Sequence, residues 1–577
     1  MPGSDKFNFI FFPCFASIFL CGTVRAGPAD EPWLSERVAD AASATLSAIL
    51  KGAPDMEKLV APDCRAGGLR PDRMTLAFQA DGVTQLTAPE EVLRALPSAR
   101  GPVGVQAAWR ALASKVGKDP HFKIKIIDTD LRAAPEVRTR LLFTLTGTAP
   151  GSGRVEHQAE WIAGWRLEGP RDEPRPVLAS LEAVACHESR SSTAAPWLSD
   201  CTQSLLGGLP WFEGQFAHGN PWWRARLQKS FDHFLYGHRG LAIGDANGDG
   251  LDDVYLCEEG GLPNRLLLQQ PDGTVRDASA ESGTDILDLT RAALFLDLDA
   301  DGDEDLALST SHGLLMLENL GAARFRQRTL LPRVGDGYSM AATDCDGNGY
   351  PDIYVCTYQA KDADAKRLPF PAPFYDARNG GENFLVGNDG NWRFTNATAL
   401  TGLDKGNDRF SFAAMWTDVN DDGLPDLAVV NDFGKNNLYR QSRDAQGRVH
   451  FTDVTDTTGL ENGAFGMAVT GADADRNGSI DLYTSNMFSS AGHRITAQPG
   501  FKPGIAPDLA EKFRHLARGN SLFLNDAGHF RDVSQPAGVA MGRWSWGSHF
   551  ADLNNDGWED LLVGNGNITG HLTKPDL

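Results

Sequence analysis

From about residue 240 onward the apolar residues come in short bursts of strand length, each followed by a run of Asp, Asn and Gly before apolar spacing resumes. Ala293-Leu294-Phe295-Leu296 enters one polar run, and Asp253-Val254-Tyr255-Leu256 leaves another. Such bursts, bounded by turn-forming residues, predict strands joined by tight loops. Before residue 190 the spacing differs. Leu34, Val38, Ala41, Ala42, Leu46 and Ile49 share one helical face, and 103–113 predicts a second helix. Alternation at 122–127, 139–148, 157–167 and 177–184 predicts an antiparallel meander. The chain therefore divides into an apolar leader at 1–26, an α+β domain at 27–190, a linker at 191–230 and a mainly β region at 231–577.

The polar runs share one spacing, Asp-x-Asp/Asn-x-Asp/Asn-Gly-x-x-Asp, which occurs six times. Positions 1, 3, 5, 7 and 9 are Asp245, Asn247, Asp249, Leu251 and Asp253 in loop 1, and Asp297, Asp299, Asp301, Asp303 and Asp305 in loop 2. Loop 3 has Asp344, Asp346, Asn348, Tyr350 and Asp352; loop 4 has Asp418, Asn420, Asp422, Leu424 and Asp426. Loop 5 has Asp473, Asp475, Asn477, Ser479 and Asp481; loop 6 has Asp552, Asn554, Asp556, Trp558 and Asp560.

Side-chain oxygens at 1, 3, 5 and 9, a turn-forming glycine at 6 and a backbone carbonyl at 7 suit a hard cation of calcium size. Magnesium demands near-ideal octahedral geometry and keeps its waters, so a ring of protein oxygens favours Ca2+, up to six ions in all. An EF-hand would need Glu at position 12, where Leu256, Leu308, Val355, Val429, Thr484 and Val563 stand instead. Metal-free turns are the alternative for a single copy. Six copies with carboxylates that repel one another in the absence of a cation favour the metal.

The loops start at 245, 297, 344, 418, 473 and 552, consistent with a unit of about 50 residues, the scale of a four-stranded propeller blade. Most units carry a second signature, at Asn264-Arg-Leu-Leu-Leu, Asn383-Phe-Leu-Val, Asn437-Leu-Tyr and Asn520-Ser-Leu-Phe-Leu-Asn525. An aromatic, polar or acidic strand follows, as in Phe394-Thr-Asn, Phe451-Thr-Asp453 and Phe530-Arg-Asp532. With the strand entries Phe465-Gly466 and Trp546-Gly547, these units resemble the FG-GAP or VCBS repeats of integrin-α-like propellers, especially bacterial relatives of cartilage acidic protein. The resemblance covers roughly 230 to 577. It implies a calcium-stabilised β-propeller of six or seven blades, secreted or surface-displayed, used in adhesion or protein recognition. After loop 6 the chain stops without the usual Asn-x-Leu strand. Two expectations follow: closure through a strand near Phe231, or, the preferred one, truncation of a longer natural chain.

Composition narrows the partners. The net charge is -22, from 76 acidic and 54 basic side chains, which argues against nucleic acid or an anionic membrane; much of the acidity is loop ligand. Lys6, the apolar run 7–20 and Val24-Arg25-Ala26 read as a secretory signal, a stronger reading than a lipoprotein anchor at Cys21 after the bulky Leu20. The run is short for a membrane span, so the mature chain is expected to have none and to be secreted, periplasmic or surface-bound. Of the cysteines outside the leader, Cys186 paired with Cys201 or Cys64 would tie the front domain or its linker, with the pairing left open, whereas Cys257 and Cys356 occupy equivalent strands and are expected to be buried. His187, His233 and His549 are expected to be structural. The sequon at Asn477 would place a glycan on a metal ligand, and the bacterial style of repeat predicts no glycosylation there.

The domain at 27–190, helices followed by a curved sheet, resembles an NTF2-like (SnoaL-like) cone, here expected to be an adaptor. Insertions at 358–382, with Phe370, Phe374 and Tyr375, and at 487–519, with a helix near 507–518, are the expected surfaces for a protein or glycan partner. The leading function is a non-catalytic recognition, adhesion or scaffold module. The alternatives are a secreted propeller enzyme acting on polysaccharide, as lyase or hydrolase, and a spacer presenting the front domain.

Overall fold

A computed structural model describes residues 31–80, 82–148, 153–193, 198–218, 222–223, 225–226, 240–334, 337–358, 371–460, 463–498 and 500–565. The leader, the segment around Phe231 and His233, Phe370 and the C-terminal tail lie outside these. The chain is mainly β and forms two compact units. One comprises residues up to Ser199 together with Ser489–Ala517, the other Asp200–Phe488 with Arg518 onward. The N-terminal unit is therefore discontinuous, unlike the uninterrupted domain read from sequence.

In that unit β1 (Val60–Ala66), β2 (Thr75–Ala80), β3 (Val83–Ala88), β4 (Ala99–Arg100), β5 (Lys118–Asp130), β6 (Glu136–Thr148), β7 (Arg154–Glu168) and β8 (Arg175–Ser191) make one sheet. The order is β2-β3-β8-β7-β6-β5, with β1 parallel to β8. The expected meander is β5 to β8, and the two expected helices are α1 (Glu31–Leu50) and α2 (Gly101–Val116). Ala39, not Ala41, completes the buried face of α1. Leu46, Ile49, Leu112 and Val116 pack on Phe143, Trp161 and Trp165 of the sheet, and Phe143 stacks on Trp161 with centroids 3.8 Å apart.

The insertion after residue 487 belongs to this unit. It forms α3 (Ser490–Thr496), capped by Ser489 Oγ accepting from Gly492 N at 2.9 Å, and α4 (Pro507–Leu516), the helix expected there. Arg494 Nε donates to Glu36 Oε1 on α1 at 2.9 Å, and Gln498 Nε2 donates to Thr129 O on β5 at 2.8 Å. Its docked side is committed to the N-terminal unit.

The second unit is a row of sheets. Four strands build the first, β9 (Leu241–Gly244), β10 (Asp253–Leu256), β11 (Arg265–Gln269) and β12 (Val275–Asp277); the second has β13 (Thr290–Leu296), β14 (Asp305–Thr310), β15 (Gly313–Asn319) and β16 (Phe325–Leu331). The third has β17 (Gly337–Thr343), β18 (Asp352–Thr357), β19 (Phe384–Asn388) and β20 (Phe394–Asn396). The fourth comprises β21 (Phe410–Thr417), β22 (Asp426–Asp432), β24 (Asn437–Arg443) and β25 (Val449–Asp453), with a side ribbon of β23 (Gly434–Lys435) and β26 (Gly463–Ala464). The fifth has β27 (Gly466–Ala472), β28 (Asp481–Asn486), β29 (Ser521–Asp526) and β30 (His529–Asp532). The sixth shows β31 (Ser545–Ala551) and β32 (Asp560–Asn565) among the described residues.

First strands of neighbouring sheets lie side by side, and an apolar layer fills each gap between sheets, the arrangement of a β-propeller. In the second to fifth sheets the second strands are buried on both faces. In β14, Leu306 and Leu308 pack toward the first sheet, whereas Ala307 packs toward the third. Tyr354 and Leu427 share the next layer, Ala428 and Phe523 the one after, and Tyr483 and Phe550 the last.

The asparagines of the second signature shape the return to the third strand. Oδ1 of Asn264, Asn383 and Asn520 accepts the N–H of Glu258, Thr357 and Asn486 at 2.7–2.8 Å. In the fourth sheet Asn436, not Asn437, plays this part toward Asn431 N, at 3.0 Å. Phe374 is half-buried, its ring 5.2 Å from Phe433 and 5.6 Å from Phe465, which corrects its reading as an exposed anchor. None of the six described cysteines is disulfide-bonded; Cys186 Sγ lies 3.7 Å from His157 Nδ1. No described helix is long and apolar enough to cross a membrane.

Arg494→Ala removes the partner of a largely buried carboxylate, and is expected to weaken docking of the insertion by about 3 kcal/mol. Limited proteolysis of the full chain checks this through faster cleavage within 489–517. Unchanged cleavage would mean that the ion pair does not hold the insertion.

Candidate metal centres

Each of the six polar runs joins the first strand of a sheet to its second, and each folds in the same way. The position 1 aspartate turns the chain by accepting two backbone N–H groups, position 5 on Oδ1 at 2.9–3.1 Å and the glycine at 6 on Oδ2 at 2.6–3.0 Å. The side chain at 5 in turn accepts the N–H of position 7 at 2.8–3.0 Å, which places Leu251, Asp303, Tyr350, Leu424, Ser479 and Trp558. Position 6 has φ between +82° and +96°, so glycine is needed. Position 4 is left-handed too, even where Ala300, Asp421, Arg476 or Asn555 stands there, a modest strain offset by the loop's hydrogen bonds.

Position 9 connects the loop to the sheet. In the first five loops this aspartate is buried and both of its oxygens are engaged. Oδ2 accepts the N–H of position 2 of the same loop, at Ala246, Leu298, Cys345, Val419 and Ala474, over 2.8–3.2 Å. Oδ1 accepts the N–H of a third-strand residue, Gln269, Asn319, Asn388, Gln441 or Asn525, at 2.7–2.8 Å. In loop 6 Asp560 takes Leu553 N at 3.1 Å.

These carboxylates sit in an unfavourable field. Burial, reinforced by neighbouring loop aspartates, pushes Asp253 and Asp426 up to about 6 and Asp305 up to about 7, and raises Asp299, Asp346, Asp352 and Asp481. Carboxylate oxygens of Asp297, Asp299 and Asp305 lie within 4.8 Å of one another, as do those of Asp344, Asp346 and Asp352, and of Asp473, Asp475 and Asp481. Asp301 falls outside the first of these groups. In loops 1, 4 and 6 the amide of Asn247, Asn420 or Asn554 replaces the carboxylate at position 3. Two position 3 oxygens, Asp299 Oδ1 and Asn420 Oδ1, are buried without a hydrogen-bond partner, as befits donors reserved for a cation. The donor set is all oxygen and anionic, so the residues fit Ca2+.

Sequence reasoning missed the side-chain donors that reach the loop carboxylates. Trp392 Nε1, from the third sheet, donates to Asp299 Oδ2 of loop 2 at 3.0 Å, and Cys345 Sγ donates to Asp352 Oδ2 at 2.9 Å. The signal available was the Asn or Gln recurring at the end of the third strand, as at Asn525.

Residues 245–308, 297–355, 418–484 and 515–563 match the FG-GAP-like repeat family. The propeller is built of FG-GAP-like repeats. Mouse cartilage acidic protein 1 is similar, at 27% identity over 195 residues, 33% of this chain and 26% of that protein; the match thus spans about a quarter of the relative. Among solved structures, an Agrocybe aegerita lectin, described as specifically recognising non-reducing terminal N-acetylglucosamine, is 16% identical over 58% of this chain and 76% of its own, with a TM-score of 0.33. The Photorhabdus luminescens Tc holotoxin pore is 12% identical over 87% and 28%, with a TM-score of 0.24.

The geometry separates two roles within one loop. Asp305→Ala strips partners from two backbone N–H groups, Leu298 and Asn319, and is expected to cost at least about 2 kcal/mol even in chelator. Asp301→Ala, at the exposed position 5, is expected to cost much less in chelator and to show its effect once Ca2+ is present. Thermal melts of the two variants with and without chelator test the difference; equal losses in chelator would contradict it.

Proposed function

We propose that this chain is an exported calcium-binding propeller that serves as a non-catalytic recognition, adhesion or scaffold module, with one Ca2+ site in each of its six loops. The observation that carries the reading is the convergence of three carboxylates, one of them buried, in loops 2, 3 and 5, together with the unpartnered position 3 oxygens of Asp299 and Asn420. Bound Ca2+ would supply the positive charge that this arrangement lacks. The chain's own residues do the rest: position 1 shapes the turn, positions 3 and 5 present oxygens, and position 9 fixes the loop to the sheet. Because the unfolded chain has no such site, binding free energy becomes folding free energy.

Several observations support a non-catalytic role. Every loop carries carboxylates that already accept backbone N–H groups, which leaves them poorly suited to proton transfer. In the N-terminal unit, Cys186 beside His157 resembles a nucleophile and base, but burial pushes its thiol up to about 12, opposite to activation. The secretory character of the first 26 residues supports export. A protein or glycan partner is proposed at the sheet ends opposite the loops, where the second-to-third-strand connection through 371–382 packs on the fourth sheet; Ala377 N donates to Phe433 O at 2.7 Å, and Arg409 Nη1 to Asp376 Oδ1 at 2.7 Å.

Returning millimolar Ca2+ to the chelated full chain is expected to raise its melting temperature, each site at a hundredfold excess over its Kd adding about 2.7 kcal/mol. Magnesium at equal concentration should do far less. Retention of no calcium by elemental analysis, together with an unchanged Tm, would overturn the proposal.

A further inference from the structure

Asn388 is hydrogen-bonded to two loops at once. Its backbone N–H donates to Asp352 Oδ1, position 9 of loop 3, at 2.8 Å, and its side-chain Nδ2 donates to Leu298 O, position 2 of loop 2, at 2.9 Å. The arrangement recurs along the array. Asn319 joins Asp305 of loop 2, at 2.7 Å, to Ala246 O of loop 1, at 2.9 Å. Gln441 joins Asp426 of loop 4, at 2.7 Å, to Cys345 O of loop 3, at 2.8 Å. Asn525 joins Asp481 of loop 5, at 2.7 Å, to Val419 O of loop 4, at 2.9 Å. All four residues are buried, between 1% and 3% exposed, so water does not substitute for these contacts.

The peptide they hold is a strategic one. The residue at position 2 separates the ligands at 1 and 3, so its orientation sets where those side chains leave the backbone. Its N–H is held by position 9 of its own loop, and its C=O by the amide from the next sheet. A loop that tightens around an ion pulls on its position 9 carboxylate. That carboxylate holds the backbone of the very residue whose side chain orients the preceding loop.

The geometry points to a relay: Asn319, Asn388, Gln441 and Asn525 are positioning residues through which calcium occupancy in one loop strengthens binding in the loop before it, so that loops 1 to 5 act as a coupled series. The inference rests on the calcium reading above and adds to it a coupling between each sheet and its predecessor, reciprocal as linkage between two binding sites requires.

Calorimetric Ca2+ titration of the chelator-stripped full chain tests it. Asp346→Ala disables loop 3 and keeps both partners of the Asn388 relay, Asp352 and Leu298. In the otherwise unaltered chain it is expected to remove one ion and weaken the loop 2 site about tenfold, within the range typical of coupled sites. In an Asn388→Leu background the same change should leave loop 2 no weaker than Asn388→Leu alone leaves it. Asn388→Gln, the amide used at position 441, should restore much of the coupling. If Asn388→Leu does not fold, Gln441→Met carries the same comparison for loops 3 and 4.

A merely structural amide would lower the melting temperature of the stripped protein and leave every Kd unchanged; that result, or loss of one ion with all other affinities intact in Asp346→Ala, overturns the relay. An unaltered chain that binds no calcium overturns the underlying reading instead.

Discussion

A buried aspartate that accepts one N–H from its own loop and one from the third strand of its sheet is the contact on which this propeller depends. It does what a ladder of strand hydrogen bonds does not do, because it ties a turn to a strand two positions away in the sheet. Hydrogen bonds to a charged acceptor contribute about 1.5–3 kcal/mol each, enough to hold the carboxylate in place but not to cancel its repulsion from the aspartates at positions 1 and 3. The fold thus carries a standing electrostatic cost at loops 1 to 5, one that a divalent cation is suited to remove. Stability and ion binding are consequently two aspects of one arrangement.

The part of this that lies within nine consecutive residues was legible in the sequence. Asp, Gly and Asp at fixed offsets are sufficient to specify the turn, since position 1 reaches no further than position 6, and the absence of Glu at position 12 distinguishes the loop from an EF-hand. The partner of position 9 was not legible, because its offset varies with whatever lies between strands: Asn319 follows Asp305 closely, whereas Asn525 lies beyond a helical insertion that starts after Asp481. Local chemistry fixes its own spacing, and tertiary pairing does not. The same limit hid β2, whose Leu76 and Phe78 are exposed and whose burial does not alternate.

It also hid the destination of the insertion at 489–517. An amphipathic helix such as α4 announces that it will pack, not where, and the polar Arg494 and Gln498 that decide the matter look like solvent-facing residues until Glu36 and the β5 carbonyls are placed beside them. The N-terminal unit is completed by chain synthesised more than 280 residues after Ser199. Contacts so distant in sequence form late in folding, since loop closure must precede them. Until they form, the face of β5 and α1 that receives α3 stands without its cover.

Loop 6 shows how shape and burial are separately encoded. Its sheet has two strands among the described residues, yet Asp552 still accepts Asp556 N at 2.9 Å and Gly557 N at 2.7 Å, Asp556 still accepts Trp558 N at 2.8 Å, and Asp560 still accepts Leu553 N at 3.1 Å. The local hydrogen bonds of this loop are those of loops 1 to 5. What differs is burial: Asp560 is half-exposed, whereas its counterparts in loops 1 to 5 are buried against the third strand that engages their Oδ1. In loops 1 to 5 the third strand meets a turn that the sequence specifies locally and desolvates its position 9 carboxylate, and desolvation converts a turn rich in aspartate into a site where a cation matters to the fold.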